Sequence, residues 1–146
     1  MDFKKINEQV EELIKLNNQL SSMSYNDPLY DELEEKIHAL QDAVNEKHKD
    51  YFEYVIDDIY VKLKCDEDVL NFTDYIAKTY IETEKNEKGT QYDVKPEGCI
   101  IVAVSHEKLN GKSVNGRIYI KPNPLRMVFS LGAHDKIVWN SEEVNI

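Results

Sequence analysis

Residues 33–54 constrain the fold of this chain more than any other segment, because their apolar side chains recur at alternating intervals of four and three. The two rows are Ile37, Val44 and Tyr51 on one side, and Leu33 and Leu40 on the other. Branched residues in one row with leucine in the other favour two-stranded, knobs-into-holes packing. The remaining faces are acidic, so this predicted helix must pack against a partner along a narrow seam.

Residues 3–20 repeat the same spacing, which predicts a second amphipathic helix. Its rows are Phe3, Val10 and Asn17, and Ile6, Leu13 and Leu20. The connection contains Asn26 and Asp27, either of which suits a helix N-cap, followed by Pro28, which is typical of a first helical position. Because helices joined by a short turn become antiparallel neighbours, residues 1–56 are predicted to form a coiled-coil-like helical hairpin.

The hydrophobic period changes after residue 57, where Ile59, Val61 and Leu63 alternate with polar or aromatic residues. This alternation predicts a strand. Residues 72–83 fit either a helix or a strand, and we assign a helical turn at 72–76 followed by a strand. Residues 90–94 are predicted to return antiparallel to that strand.

The apolar run at residues 99–105 predicts a central strand buried on both faces. Two Asn-Gly pairs, at 110–111 and 115–116, predict turns, and three further short strands follow before residue 141. The sequence therefore predicts an α+β fold in one cooperative unit. A helical hairpin at 1–56 precedes a compact, mainly antiparallel sheet of about five to seven strands at 57–146.

Charge is distributed unevenly along the chain. The net charge is −10, and residues 1–89 hold 22 acids and 11 lysines, which gives −11 for that part. Residues 90–146 hold 6 acids and 7 bases, which gives +1. An acidic surface disfavours nucleic acid and anionic membranes as direct partners, because both are bound through lysine and arginine. It favours a basic protein partner.

Several observations bear on compartment and cofactors. No apolar run approaches the roughly 18 residues that span a bilayer, and residues 1–12 carry acids where a secretory signal would be apolar. We therefore expect a cytoplasmic protein. Cys65 and Cys99 lie outside disulfide or zinc spacings, and the acids at 66–68 lack the spacing of a calcium loop. No metal or cofactor is expected, and the many Lys, Asn and Ile codons of an AT-rich genome indicate a bacterium or phage.

The hairpin and its exit combine acids with tyrosines, and tyrosine is enriched at interfaces because it presents a large flat surface with a polar tip. No nucleophile and base occur at a recognisable spacing, so we expect a non-enzymatic protein. Its predicted role is to occupy a basic surface of a partner such as a nucleic-acid enzyme, as immunity proteins and phage-encoded inhibitors do. The predicted partner-binding residues are Tyr30, Asp31, Glu34, Glu35, Asp57, Asp58 and Tyr60.

An alternative places the function in the β half. Arg117 and Arg126 begin predicted strands, and His106 and His134 fall in predicted turns. If the strand ends converge, these side chains form a pocket for a small anionic ligand such as a nucleotide or sugar phosphate. The other interpretation is that turns are polar because they are solvated.

In layout, the chain resembles transcript-cleavage factors of the Gre type, in which a helical hairpin precedes a compact β domain. Asp27, Asp31 and Glu32 fall near the hairpin tip here. The resemblance implies a further alternative, a hairpin protein that associates with the transcription complex through an acidic tip in the polymerase channel. The arms are shorter than in that family, and the strand pattern differs.

Apolar residues outside the two rows give the hairpin a second apolar edge. They are Ile14, Leu16, Leu29, Phe52 and Val55. This edge must lie against the sheet or pair with a second subunit, and a twofold dimer is the commonest symmetric assembly. We therefore predict a homodimer through the helical hairpin.

Overall fold

The computed structural model describes residues 1–105 and 113–144, and within them two helices precede antiparallel strands. The helices are α1 (Phe3–Ser22) and α2 (Tyr30–Leu63), and a short 3-10 turn follows at Phe72–Tyr75. The strands are β1 (Tyr80–Asn86), β2 (Gly89–Val94), β3 (Ile100–Ser105), β4 (Ser113–Lys121), β5 (Arg126–Leu131) and β6 (His134–Asn140). The predicted α+β class is confirmed, as are the helical turn and the strand assigned to residues 72–83.

The two helices form the predicted hairpin, and the predicted seam is buried. Ile6, Val10 and Leu13 of α1 are fully buried, and Ile37 and Val44 of α2 are nearly so. The carboxylate of Asp2 caps α1 by accepting a hydrogen bond from the Lys5 N–H, and Asp27 accepts one from Leu29 just before α2. The first bond caps the start of α1, at the end of the hairpin away from its tip. The second lies in the tip, where α2 begins at Tyr30 after Leu29 and not at the predicted Pro28.

The helix α2 is longer than predicted and includes residues 59–63, so the prediction of a strand at those residues is wrong. The buried residues of this part are Phe52, Val55, Ile56, Ile59 and Tyr60, which recur at helical spacing. Val61 is 69 % exposed, so its place in an apparent alternation was coincidental. The helix is kinked at His48 (φ −122°, ψ 18°) and ends at Lys64 in the left-handed region. The predicted boundary after residue 56 falls inside it.

The strands form two antiparallel sheets, β1–β2 and β3–β4–β5–β6. The strand β3, predicted to be central, lies at an edge, and Ile101 on it is 54 % exposed. The outer side of this edge is partly covered by the segment after α2. The N–H of Ser105 donates to the Lys64 carbonyl at 3.3 Å, and the N–H of Ala103 donates to the Glu67 carboxylate. These bonds shield the edge from pairing with another chain.

The turn predicted at Asn115-Gly116 is also wrong, because both residues lie within β4. The ring of Phe129 on β5 occupies the space above Gly116, and a Cβ there would lie 2.5 Å from the ring Cζ. This glycine therefore serves close packing between neighbouring strands rather than a turn. The other Asn-Gly pair lies outside the described residues.

The helices pack against both sheets in a single core. Trp139 of β6 makes edge-on ring contacts with Phe3 of α1 and Phe52 of α2. The Asn7 side chain of α1 donates to the side-chain oxygen of Asn123 in the β4–β5 turn and accepts from the Asn123 backbone N–H, both at 2.8 Å. No helix in the described ranges is long and apolar enough to cross a membrane.

The second apolar edge of the hairpin lies inside this core. Ile14, Leu16, Phe52 and Val55 are all buried within the chain, and Leu29 alone of the five is exposed, at 59 %. Of the two ways to cover this edge, the structure shows packing against the chain's own β elements. The apolar surface on which the dimer prediction depended is therefore not available to a second subunit.

Candidate functional site

An open groove of about 830 Å³ lies between the C-terminal half of α2 and the segment that follows it. We call it the acidic groove; its lining residues are Asp50, Glu53, Tyr54, Asp57, Glu67, Asp68 and Val69. Five of these seven residues are carboxylic acids. Tyr54 is 74 % exposed, which makes it one of the most exposed large side chains of the described part.

The helical repeat of α2 builds the first wall of the groove. Asp50, Tyr54, Asp57 and Val61 follow one another at intervals of four, three and four, so they share one face. The opposite face carries the buried stripe that contacts the sheet. Because that stripe must be covered, the acidic and aromatic face necessarily points to solvent.

The second wall, residues 65–71, is held to the core at three points. The N–H of Cys65 donates to the Tyr60 carbonyl at 2.9 Å, where the helix ends. The Glu67 carboxylate accepts from β3, as described above. The N–H of Leu70 donates to the hydroxyl of Tyr75 at 3.1 Å. This wall is therefore positioned by hydrogen bonds, although most of its side chains are exposed.

Tyr60 supports this wall from the inside and does not belong to the partner-binding surface for which it was predicted. It is 3 % exposed, and its hydroxyl lies 2.6 Å from that of Tyr75. Burial is the main cause that raises the pKa of both phenols, and the hydrogen bond to Tyr75 raises that of Tyr60 further. Both side chains stay neutral at physiological pH.

The carboxylates of the acidic groove are not neutralised within the described part of the chain, where no lysine or arginine forms an ion pair with any of the five. The neighbouring Asp58, also a predicted partner-binding residue, does pair with Lys62 at 2.9 Å. Among the residues that the structure describes, no group of His, Cys, Asp and Glu is arranged to hold a metal ion. As far as residues 1–105 and 113–144 are concerned, the groove therefore presents negative charge to solvent without an ion-pair partner.

A smaller cavity of about 200 Å³ adjoins the groove where α2 is kinked. We call it the kink cavity; it is lined by Asn45, His48, Lys49, Phe52, Glu53, Val69, Leu70, Asn71 and Phe72. Glu53 and Val69 line both spaces, so the two are adjacent. Burial lowers the pKa of His48, and the positive charges of Lys47, the N-terminus and Lys5 lower it further. The ring is therefore neutral at pH 7.

The predicted partner-binding residues do not form one surface. Tyr30, Asp31, Glu34 and Glu35 lie in the first turns of α2, whereas Asp57 lies 27 positions further along. At about 1.5 Å per residue this separation is about 40 Å. Only Asp57 of the predicted set lines the acidic groove.

The residues predicted to bind an anionic ligand are not brought together. Arg126 donates two hydrogen bonds, of 2.8 and 3.0 Å, to carbonyls of the β4–β5 turn, so its guanidinium is used in the fold. Arg117 lies at the other end of the β4–β5 ladder and donates to the Pro96 carbonyl at 3.1 Å. His134 begins β6, beyond the end of β5 that is far from Arg126. His106 lies outside the described residues.

The sequence prediction omitted Asp50, Glu53, Tyr54, Glu67 and Asp68. The first three lie inside the helix predicted at residues 33–54, but the strand assigned to residues 59–63 hid the continuation of their face to Asp57. The helical spacing of the buried residues from 52 to 60 would have revealed it. Glu67 and Asp68 come near α2 only because their segment turns back towards β3, which no local pattern indicates. No family model, curated protein or solved structure matches this chain, so its function must be inferred from the geometry of these surfaces.

Proposed function

We propose that this chain is a non-enzymatic interaction protein whose acidic groove binds a basic surface of a partner protein. One observation carries the proposal: five carboxylates without an ion-pair partner in the described residues line a groove beside a tyrosine that is 74 % exposed. A groove lined by one sign of charge attracts an oppositely charged partner over a distance and raises the rate of association.

Tyr54 and Val61 add apolar contact area to this charged face. They lie two helical turns apart, and both are more than two thirds exposed, at 74 % and 69 %. Tyrosine contributes strongly at interfaces because a large ring is ordered at the cost of only two side-chain torsions. Charge would thus orient the partner, and the aromatic contact would slow its dissociation.

The partner class follows from the charge. Clustered lysines and arginines occur on proteins that bind nucleic acid, because these residues neutralise phosphate. A protein that covers such a surface with carboxylates would compete with nucleic acid for it, which is the action of an inhibitor or an immunity protein. We propose this role for the chain, with a nucleic-acid enzyme as the partner.

The proposal is tested with a fluorescein-labelled hexalysine peptide and fluorescence anisotropy. The variant Asp50→Asn/Asp57→Asn removes two charges from the groove, and Glu82→Gln/Glu84→Gln removes two exposed charges from β1 as a matched control. We expect the groove variant to bind about tenfold more weakly and the control to change less than about twofold. Equal weakening in the two variants, or an affinity unaffected by added salt, would contradict a specific acidic site.

A further inference from the structure

We infer that the kink cavity receives an arginine side chain of the basic partner, an inference that depends on the proposed function of the adjoining acidic groove. The cavity lies beside the groove, and Glu53 and Val69 line both. A basic segment lying in the groove would therefore lie next to the cavity.

The size of the kink cavity favours a single side chain over a small-molecule ligand. Its volume is about 200 Å³, whereas sites for drug-sized ligands and cofactors usually measure roughly 300–1,000 Å³. The structure fixes its shape from two sides. Asn45 of α2 exchanges hydrogen bonds with the Thr73 hydroxyl and N–H at 2.8 and 3.2 Å, and Phe52 and Phe72 stack with ring centroids 3.7 Å apart.

The lining of the cavity matches the two parts of an arginine side chain. Val69 and the 40 % exposed Leu70 provide apolar surface for its methylene stem, and the almost completely buried, stacked rings of Phe52 and Phe72 complete the lining. The carboxylate of Glu53, which lines both the cavity and the groove, can accept two hydrogen bonds from a planar guanidinium. Lysine offers a similar stem but only a compact ammonium, which cannot make this paired contact.

The charges around the cavity are compatible with a cation. Lys49 and Glu53 both line it and have opposite charges, so the excess negative charge nearby comes from the other four carboxylates of the groove. Burial, and then the positive charges of Lys47, the N-terminal amine and Lys5, lower the pKa of His48, so its ring is neutral at pH 7. A neutral imidazole adds no repulsion to a cation.

The test compares hexa-arginine with hexalysine, two peptides of equal charge, on the full chain by fluorescence anisotropy. We expect the wild-type protein to prefer hexa-arginine by about tenfold, the effect of one additional charge-assisted hydrogen-bonded contact. Glu53→Gln should reduce this preference to about twofold. Asp57→Asn, which removes a groove carboxylate away from the cavity, should weaken both peptides alike and leave their ratio unchanged.

A second pair of variants tests the apolar wall. Leu70→Ala, at a residue 40 % exposed, should also lower the preference for hexa-arginine, whereas Ile101→Ala, at a residue 54 % exposed on β3, should not. Equal binding of the two peptides by the wild-type protein would overturn the arginine site while leaving the acidic groove intact. Absence of binding to either peptide would overturn the proposed function and the inference together.

Discussion

Replacing Tyr75 by phenylalanine should destabilise the protein more than the same change at Tyr60, although both remove one hydroxyl from the same buried pair. The Tyr75 hydroxyl has two partners, the Tyr60 hydroxyl at 2.6 Å and the Leu70 N–H at 3.1 Å. The Tyr60 hydroxyl has only Tyr75 among the bonds of the described residues. Both rings are almost completely buried.

The magnitudes follow from the groups left without partners. Tyr75→Phe leaves the buried Tyr60 hydroxyl unsatisfied, at about 1–3 kcal/mol, and removes the bond to Leu70, at about 0.5–1.5 kcal/mol. Tyr60→Phe leaves the Tyr75 hydroxyl bonded to Leu70, so we expect a cost of about 1 kcal/mol. At roughly 3 °C per kcal/mol for a chain of this size, Tm should fall by about 9 °C in the first variant and about 3 °C in the second.

The same pair of variants separates stability from function. Because Tyr75 holds Leu70 in the wall of the kink cavity, Tyr75→Phe should also weaken binding of hexa-arginine at a temperature where both variants are folded. Tyr60→Phe should bind like the wild-type protein. Urea unfolding followed by circular dichroism gives the stabilities. A Tyr60 variant that loses as much stability as the Tyr75 variant would refute the assignment of two partners to one hydroxyl.

Three further predictions concern other parts of the fold. Gly116→Ala should cost about 1–3 kcal/mol because its Cβ would meet the Phe129 ring, and adding Phe129→Leu should recover part of that loss in urea unfolding. The pKa of His48 is lowered from 6.5, so the neutral ring stabilises the fold above that pH and this stabilisation is lost as the pH falls. The unfolding free energy of His48→Gln should therefore decrease less than that of the wild type below pH 6.5. Burial raises the pKa of Cys99 to about 11, so iodoacetamide should alkylate it far more slowly in the native than in the urea-unfolded protein at a pH of about 9, as measured by peptide mass spectrometry.

The sequence predicted those parts of the fold that depend on a single periodicity. The hairpin seam at Ile37 and Val44 and the turn at residues 72–75 follow from local spacing, and the structure confirms them. Local spacing gave the wrong prediction of a strand at residues 59–63 because two periods overlap there. Ile59 fits both an alternating pattern and a helical repeat. Local spacing gave no information where the position of a strand in its sheet depends on segments that are distant in sequence. Nothing in residues 99–105 indicates that β3 would lie at an edge covered by the Glu67 carboxylate.

The bonds between Asn7 and Asn123 have a consequence for how the chain is made. They join residues 116 positions apart, so α1 cannot complete its packing until the β4–β5 turn has left the ribosome. At about 5–20 residues per second, translation of that interval takes on the order of ten seconds. During this interval the sheet-facing side of α1 is not yet covered by the β4–β5 turn. Until Tyr80 has been translated, the Asn18 side chain also lacks its hydrogen bonds to the Tyr80 backbone. The nascent hairpin is therefore a stage at which apolar surface of α1 stays exposed for seconds, the condition that favours aggregation of nascent chains.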